Sequence, residues 1–367
     1  MTIDVLILGN GFDLAHGLKT KYSDFLNYCK NIENLEVLYG DKQKIKLNLW
    51  LAHFINITNQ NKIGENWIDL EDEIFNVVEK ICNNLKQSNL EDFGKIFNLA
   101  LKIDNKNNNF CFDDLFVNSQ ICKNVKEYSI KNHSKKSIKV DIENIKYLSN
   151  FLYDQLREFT VLFTNYLNNV ALKNLTPDIN NRTSKFRIKN INKKIIILNF
   201  NYTNIFEYFY QIGWNRGDEL RDVFEIETSY IHGNINDTPC NIVLGTKNFD
   251  NKVDACFNKF TKHYQRHKYA TIEKYQDLLS LIKKIEQKLA FHIIGHSLDS
   301  TDRNILKHFL MANTNSTINI YYHDERIQEI LMRNINLIID EEEVMTRVRF
   351  ISLHDKERGI LVKKEED

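Results

Sequence analysis

The spacing of hydrophobic positions changes character along the chain. A continuous apolar run from Val5 to Leu8, with Ile3 before it, ends in glycine; such a run predicts a buried strand in a sheet covered on both faces. A helix is expected from about Tyr22. From there to about Asn190, "LNLWLAHFINIT", "WIDLEDEIFNVVEKICNNL" and "IENIKYLSNFLYDQLREFTVLFTNYLNNVALKNL" place apolar residues three and four apart, the helical period. Between them, "KIDNKNNNF" and "KNHSKKSIK" carry polar residues without period and read as loops, the Lys cluster as a solvated one. From Lys193 onward short apolar runs return: "KIIILNF", "SYIHG", "NIVLG", "LAFHIIG", "TINIYY" and "VRFISLH". Helical patterns such as "NIFEYFYQIG", "TDRNILKHFLMAN" and "ERIQEILMRNIN" follow several of them.

Strand, turn and helix in repetition predict an α/β fold: a Rossmann-like, mainly parallel sheet flanked by helices. The first strand needs such a sheet to join. The expected organisation is therefore a discontinuous α/β domain, residues 1–26 and 190–357, interrupted by a large helical insertion, residues 27–189, and followed by a frayed tail, residues 358–367.

Composition narrows the function classes. Lys plus Arg and Asp plus Glu both number 49, so no basic excess points to nucleic acid or an anionic membrane. No window approaches the roughly 20 apolar residues that span a bilayer, and the short apolar start does not make a secretory signal, so a soluble, cytoplasmic protein is expected. The six cysteines form no C-x-x-C pair, which argues against a disulfide framework and a structural zinc site. No metal and no prosthetic group are expected.

Ligands of open parallel sheets bind at the carboxyl ends of the strands, and those positions are polar here: "GNGFDLAHG", "NFNYTN", "HGNIND", "GHSLDSTD" and "HDE". Asn, Asp, Ser, Thr and His supplied from successive strand ends suit a polyfunctional ligand such as a nucleotide. Gly9 and Gly11 permit close backbone approach, either to a phosphate or within a tight turn, and their spacing departs from G-x-G-x-x-G. Asp13 would repel a pyrophosphate lying directly on it; a ribose hydroxyl, an ordered water or a local cap suits it better. Asn201 follows an apolar strand, where its amide can donate to and accept from a sugar hydroxyl or water. Asn204 and Glu207 have the spacing of a capping box. His232 is either a satisfied structural histidine or a general base. His296, Ser297 and Asp299 are binding candidates, with Ser300 or Asp299 the natural cap of the next helix; no Ser lies on a G-x-S-x-G elbow. Trp67, Asp69 and Glu71 of "ENWIDLEDE" either face a site or stabilise the first turn of their helix.

Taken in order, "GNGFDLAHGLKTKYSDF", "NFNYTNIFE", "HGNIND…NIVLG", "IIGHSLDSTD" and the W-x-D-L-E phrase resemble the bacteriophage abortive infection AbiH family over nearly the whole chain. The same order of signals resembles, more distantly, the sirtuin-like domains of bacterial antiphage proteins. That second resemblance implies NAD+ as substrate or ligand, with Gly9, Asn10, Gly11 and Asp13 lining it. It implies Asn201 as the residue positioning water or ribose, His232 as base, and Ser297 and Asp299 near the adenosine half. Thr203, Gly233 and Gly295 complete the implied binding set. Thr203 stands where many of these domains carry Asp, and the cysteine pairs of sirtuin deacylases are absent. The resemblance therefore implies NAD+ hydrolysis to nicotinamide and ADP-ribose rather than protein deacylation. Two other readings stay open: a non-catalytic nucleotide sensor, and a metal-dependent nucleic-acid toxin using Asp13, Asp69 and Glu71. A homo-oligomer and a phage-derived trigger are the partners such an effector would need.

Overall fold

The computed structural model describes residues 2–40, 48–59, 67–87, 142–173, 175, 186–188, 194–210, 225–237, 241–249, 255–353, 355 and 357–363. In chain order the elements begin with β1 (Ile3–Leu8), α1 (Asn10–Ala15), α2 (Tyr22–Cys29), α3 (Ile32–Tyr39), α4 (Leu49–Asn59), α5 (Trp67–Gln87) and α6 (Ile142–Tyr166). They continue with β2 (Phe186–Ile188), β3 (Lys194–Asn199), α7 (Ile205–Tyr210), β4 (Glu225–Tyr230), α8 (Lys262–Lys268) and α9 (Thr271–Lys284). The last are β5 (Leu289–Ile294), α10 (Arg303–Leu310), β6 (Thr317–Tyr322), α11 (Glu325–Ile335), α12 (Glu341–Arg347), β7 (Val348–Ser352) and β8 (Leu361–Lys363).

Six strands form the expected sheet, in the order β4-β3-β1-β5-β6-β7, and every pairing is parallel. With its strands renumbered along the chain this order is 3-2-1-4-5-6, that of dinucleotide-binding sheets, and the order reverses between β1 and β5. Side-chain alternation sends β1 to both layers of the core. Val5 and Ile7 join Phe291, Ile293, Ile318 and Ile320 against Leu278 and Ile282 of α9, Phe309 of α10 and Ile335 of α11. Leu6 and Leu8 join Ile195, Ile197 and Ile294 against Phe12 and Phe206 on the other face. Truncating Phe291, fully buried in the first layer, to Ala would cost about 3–5 kcal/mol.

Two compact units divide the chain: residues 1–20, 167–243 and 266–367 carry the sheet, and residues 21–166 and 244–265 carry most of the helices. The second unit is held by aromatic packing, with Phe25 and Phe159 at 5.4 Å and Phe54 and Phe159 at 5.2 Å. Its buried Trp50 donates Nε1–H to Leu152 O at 2.9 Å.

Segment 244–265 differs from the expectation that all of 190–357 belongs to the α/β domain. Within the helical unit Ser149 Oγ donates to Cys256 O, and Lys262 pairs with Glu71 at 2.9 Å. "NIVLG" is buried but is not a strand. Leu244 N donates to the Gln265 side-chain carbonyl, and Gln265 Nε2 donates to Leu244 O, so one amide side chain replaces a neighbouring strand. The expected tail is ordered at Leu361–Lys363, where β8 pairs antiparallel with β2. The loops "KIDNKNNNF" and "KNHSKKSIK", with Cys111, Cys122 and Cys240, lie outside the described residues; Cys29 and Cys82 are buried. Among the described residues no helix is long and apolar enough to cross a membrane.

Candidate functional site

At the reversal of strand order, glycine serves contact between two loops. Gly9 N donates to Ile294 O and Gly11 N to Gly295 O, at 3.0 and 2.9 Å. A Cβ on Gly9 would lie 2.4 Å from His296 Cα, and one on Gly295 only 2.2 Å from Phe12 N. Gly295 also has φ +67°, in the left-handed region. Of the two readings of the glycine spacing, the tight turn accounts for these contacts. The N–H groups of Gly9, Gly11 and Phe12 are bonded inside the protein, and α1 is only six residues long. Asn10, half-buried, turns its Oδ1 to the Thr20 hydroxyl at 2.6 Å.

Behind this crossing the β1 and β3 loops share a buried polar knot. Asp13, 1% exposed, accepts from Asn201 Nδ2 at 2.9 Å and from Thr203 Oγ1 at 2.5 Å. The second amide hydrogen of Asn201 goes to Gly9 O at 3.0 Å. Asn199 shapes the loop that presents them: its Oδ1 accepts from Asn201 N, and its Nδ2 donates to Thr203 O. Burial pushes the Asp13 carboxyl from 3.8 up to about 7; the Thr203 and Asn201 hydrogen bonds oppose that rise, and the Glu207 charge adds to it. Glu207 forms no capping box with Asn204: its Oε1 accepts from Tyr230 OH at 2.9 Å, and its buried Oε2 has no hydrogen-bond partner among the described residues. Burial raises the Tyr230 phenol, and the Glu207 charge adds to that rise.

His232, just past β4, belongs to a second group. Its Nε2 lies 3.2 Å from Asp302 Oδ2 and its Nδ1 3.4 Å from Arg266 Nη2, which also donates to Asp302 Oδ1 at 2.8 Å. Arginine can only donate, so Nδ1 accepts and the ring proton sits on Nε2, facing Asp302. Asp302 is at the N-cap of α10 but makes no side-chain cap there, since its carboxylate is spent on this pair. The His232 loop is fixed by Val243 N donating to His232 O at 2.8 Å and by Gly233, where a Cβ would meet Asn241 O at 2.5 Å. Phe200 lies between His232 and His296, with ring centroids 5.5 and 4.4 Å away.

Asp13, Asn201 and Thr203 are thus brought into direct contact, as are Gly9, Gly11 and Gly295. Ser297 is exposed, and its carbonyl accepts from Asn334 Nδ2 at 2.8 Å. Asp299 takes Ser300 Oγ and Thr301 N in a local turn. Asp299 meets the His232 group only through its backbone, where its carbonyl accepts from Asp302 N at 3.4 Å; no side-chain bond joins Ser297 or Asp299 to the Asp13 knot among the described residues. Asp302 and Arg266 were not singled out by the sequence: one is masked by a row of capping residues, the other by the basic run "QRHK". Glu71 is buried against Lys262 in the helical unit, and the side chains of Trp67 and Asp69 lie outside the described residues. Among the described residues, no group of three or more His, Cys, Asp or Glu is placed to hold a metal ion.

No curated protein sequence matches the chain. Residues 5–323 match the family described as Bacteriophage abortive infection AbiH, a span that takes in the glycine crossing, the Asp13 knot and the His232 group. The chain belongs to the AbiH family of bacteriophage abortive infection proteins.

Proposed function

We propose that this AbiH protein acts in abortive infection by hydrolysing NAD+ to nicotinamide and ADP-ribose. The observation that carries the reading is the pairing of His232 with Asp302 beside the β1–β5 reversal, the place where sheets of this order bind dinucleotides. Water attacks C1′ of the nicotinamide ribose, the glycosidic bond electrons leave with nicotinamide, and the water proton passes to His232 Nδ1. Asp302 holds the ring by accepting from Nε2–H and stabilises the imidazolium that forms. For Nδ1 to act, Arg266 Nη2 must yield its 3.4 Å contact; the shorter 2.8 Å bond to Asp302 keeps the guanidinium anchored. Asn201 has both amide hydrogens engaged, so it offers its Oδ1 to a ribose hydroxyl or to the attacking water. A carboxyl at about 7 allows Asp13 to be neutral near a pyrophosphate, which removes the repulsion a fixed anion would cause.

The same geometry supports a second reading, a non-catalytic NAD+ sensor, because both His232 nitrogens have partners within the protein. Nicotinamide release from NAD+ by the purified protein separates the two. Turnover, reduced roughly 10²- to 10⁴-fold in His232→Ala and Asn201→Ala, is the expected result. No release from protein that is toxic in cells refutes hydrolysis, and saturable NAD+ binding without turnover establishes the sensor.

A further inference from the structure

The same sheet carries a second polar feature, at mid-strand rather than at the strand ends. Parallel strand register aligns Leu6, His292, Asn319 and Arg349 in one row across β1, β5, β6 and β7. Side chains two apart on a strand share a face, so Asp4 and Tyr321 lie on the same side of the sheet as this row. The inner strands of a parallel sheet ordinarily carry apolar residues on both faces, as Val5, Ile7, Ile318 and Ile320 do on the other. Here a cavity of about 440 Å³ opens over the polar row, lined by His292, Asn319, Tyr321, Arg349, Glu357 and Arg358 among others.

The floor is fixed and the wall is charged. His292, 6% exposed, has Nε2 3.1 Å from Asp4 Oδ1 and Nδ1 3.0 Å from Tyr321 OH. Imidazole is thereby locked in orientation from both sides. Tyr321 is raised by burial, with the Asp4 charge adding to it, so it stays a phenol. Asn319 and Arg349 make no side-chain hydrogen bond or ion pair among the described residues, and Arg349 is exposed. Arg358 is held by Asp355, with Nε and Nη2 each 2.9 Å from Oδ2, so its outer N–H groups are those that can meet a ligand. Two guanidinium groups and an amide beside a rigid imidazole and phenol make a site for an oxyanion attached to a small polar body. Guanidinium forks match phosphate and carboxylate oxygens, and the volume is within the range of small-ligand pockets.

We propose that this cavity binds a small metabolite bearing a phosphate or carboxylate, with the oxyanion on Arg349 and Arg358 and its polar body over His292, Asn319 and Tyr321. The proposal stands independently of NAD+ hydrolysis, since it uses none of the residues assigned to that chemistry.

Calorimetric titration of the full chain at millimolar ligand tests it, with ribose 5-phosphate, gluconate as a carboxylate counterpart, and uncharged ribose. At least one of the two anions should bind saturably and ribose should not; which anion binds identifies the oxyanion. Arg349→Gln alters an exposed side chain, so its melting temperature without ligand should match wild type. Its affinity for the anion should fall roughly 10-fold or more, as for loss of a charged hydrogen bond. His232→Ala should bind the anion as wild type does, which separates this cavity from the NAD+ site. Absence of binding by both anions, equal affinity in Arg349→Gln, or loss of binding in His232→Ala would each overturn the proposal.

Discussion

Replacing Asp13 by Asn tests the electrostatics of the β1–β3 knot directly. Asn keeps the size and one acceptor for Asn201 Nδ2, and Thr203 can rotate its hydroxyl to accept from the new amide. What the substitution removes is a proton equilibrium. The carboxyl rises from 3.8 to about 7 on folding because it is buried. Below the unfolded value both states are protonated, and the group has no effect on the pH dependence. Between that value and about 7 the unfolded chain releases its proton and the folded chain keeps it, so wild type loses stability as pH rises, and above about 7 the loss is complete. A rise of about three, at about 1.4 kcal/mol for each, sets the full effect at about 4 kcal/mol. Urea unfolding of wild type and Asp13→Asn at a series of pH values, with equal m-values, measures it. The difference between the two proteins should grow in favour of Asp13→Asn from about pH 4 and level off beyond about pH 7. A difference independent of pH, or one growing toward acid, would refute the account of Asp13 as a carboxyl held up by burial.

Three further outcomes follow from the geometry. Gly295→Ala combines a left-handed φ with a backbone overlap at Phe12 N and should cost about 3 kcal/mol or more, whereas Gly17→Ala, with φ +82° but open space around it, should cost about 1 kcal/mol; thermal melts compare them. Glu71→Gln leaves the buried Lys262 ammonium without its carboxylate and should lose about 3–5 kcal/mol, while Glu71→Leu combined with Lys262→Met should recover most of that loss in denaturant titrations. Under the hydrolase reading, Asp302→Asn should lower nicotinamide release roughly 10²-fold or more with little change in the Michaelis constant, because it would disorient His232 without touching the ligand; a change confined to the Michaelis constant would argue that Asp302 only shapes the pocket.

The parts of the fold legible in the sequence are those whose signal is local. β1, β3 and β5 each show as a short apolar run because both faces of these inner parallel strands are buried, β6 shows by alternation of apolar with polar positions, and the helices of the second unit show through their three-four spacing. "NIVLG" carries the same apolar signal without being a strand: burial alone sets composition, and the Gln265 amide satisfies the peptide in place of a strand neighbour. At the site, Asn201 and Asp13 were visible because each follows a strand. Asp302 and Arg266 were not, because their chemistry is defined by partners 70 and 34 residues from them, at His232. A cap residue such as Asp302 has an adequate local explanation until the histidine it turns to is known.

The glycine crossing shows why local motif and function separate in this protein. Gly9, Gly11 and Gly295 bring the β1 and β5 loops within backbone contact, and that closeness seats Asn201, which reaches across from β3 to Gly9 O and Asp13. Asn201 in turn can present only its Oδ1 outward, so its possible roles narrow to accepting from a hydroxyl or a water. Under the hydrolase reading the glycines act through Asn201 rather than through a phosphate. A side chain at Gly11 would lie 2.7 Å from Gly295 Cα and force the two loops apart. Under the hydrolase reading, that displacement should lower nicotinamide release in Gly11→Ala in parallel with Asn201→Ala.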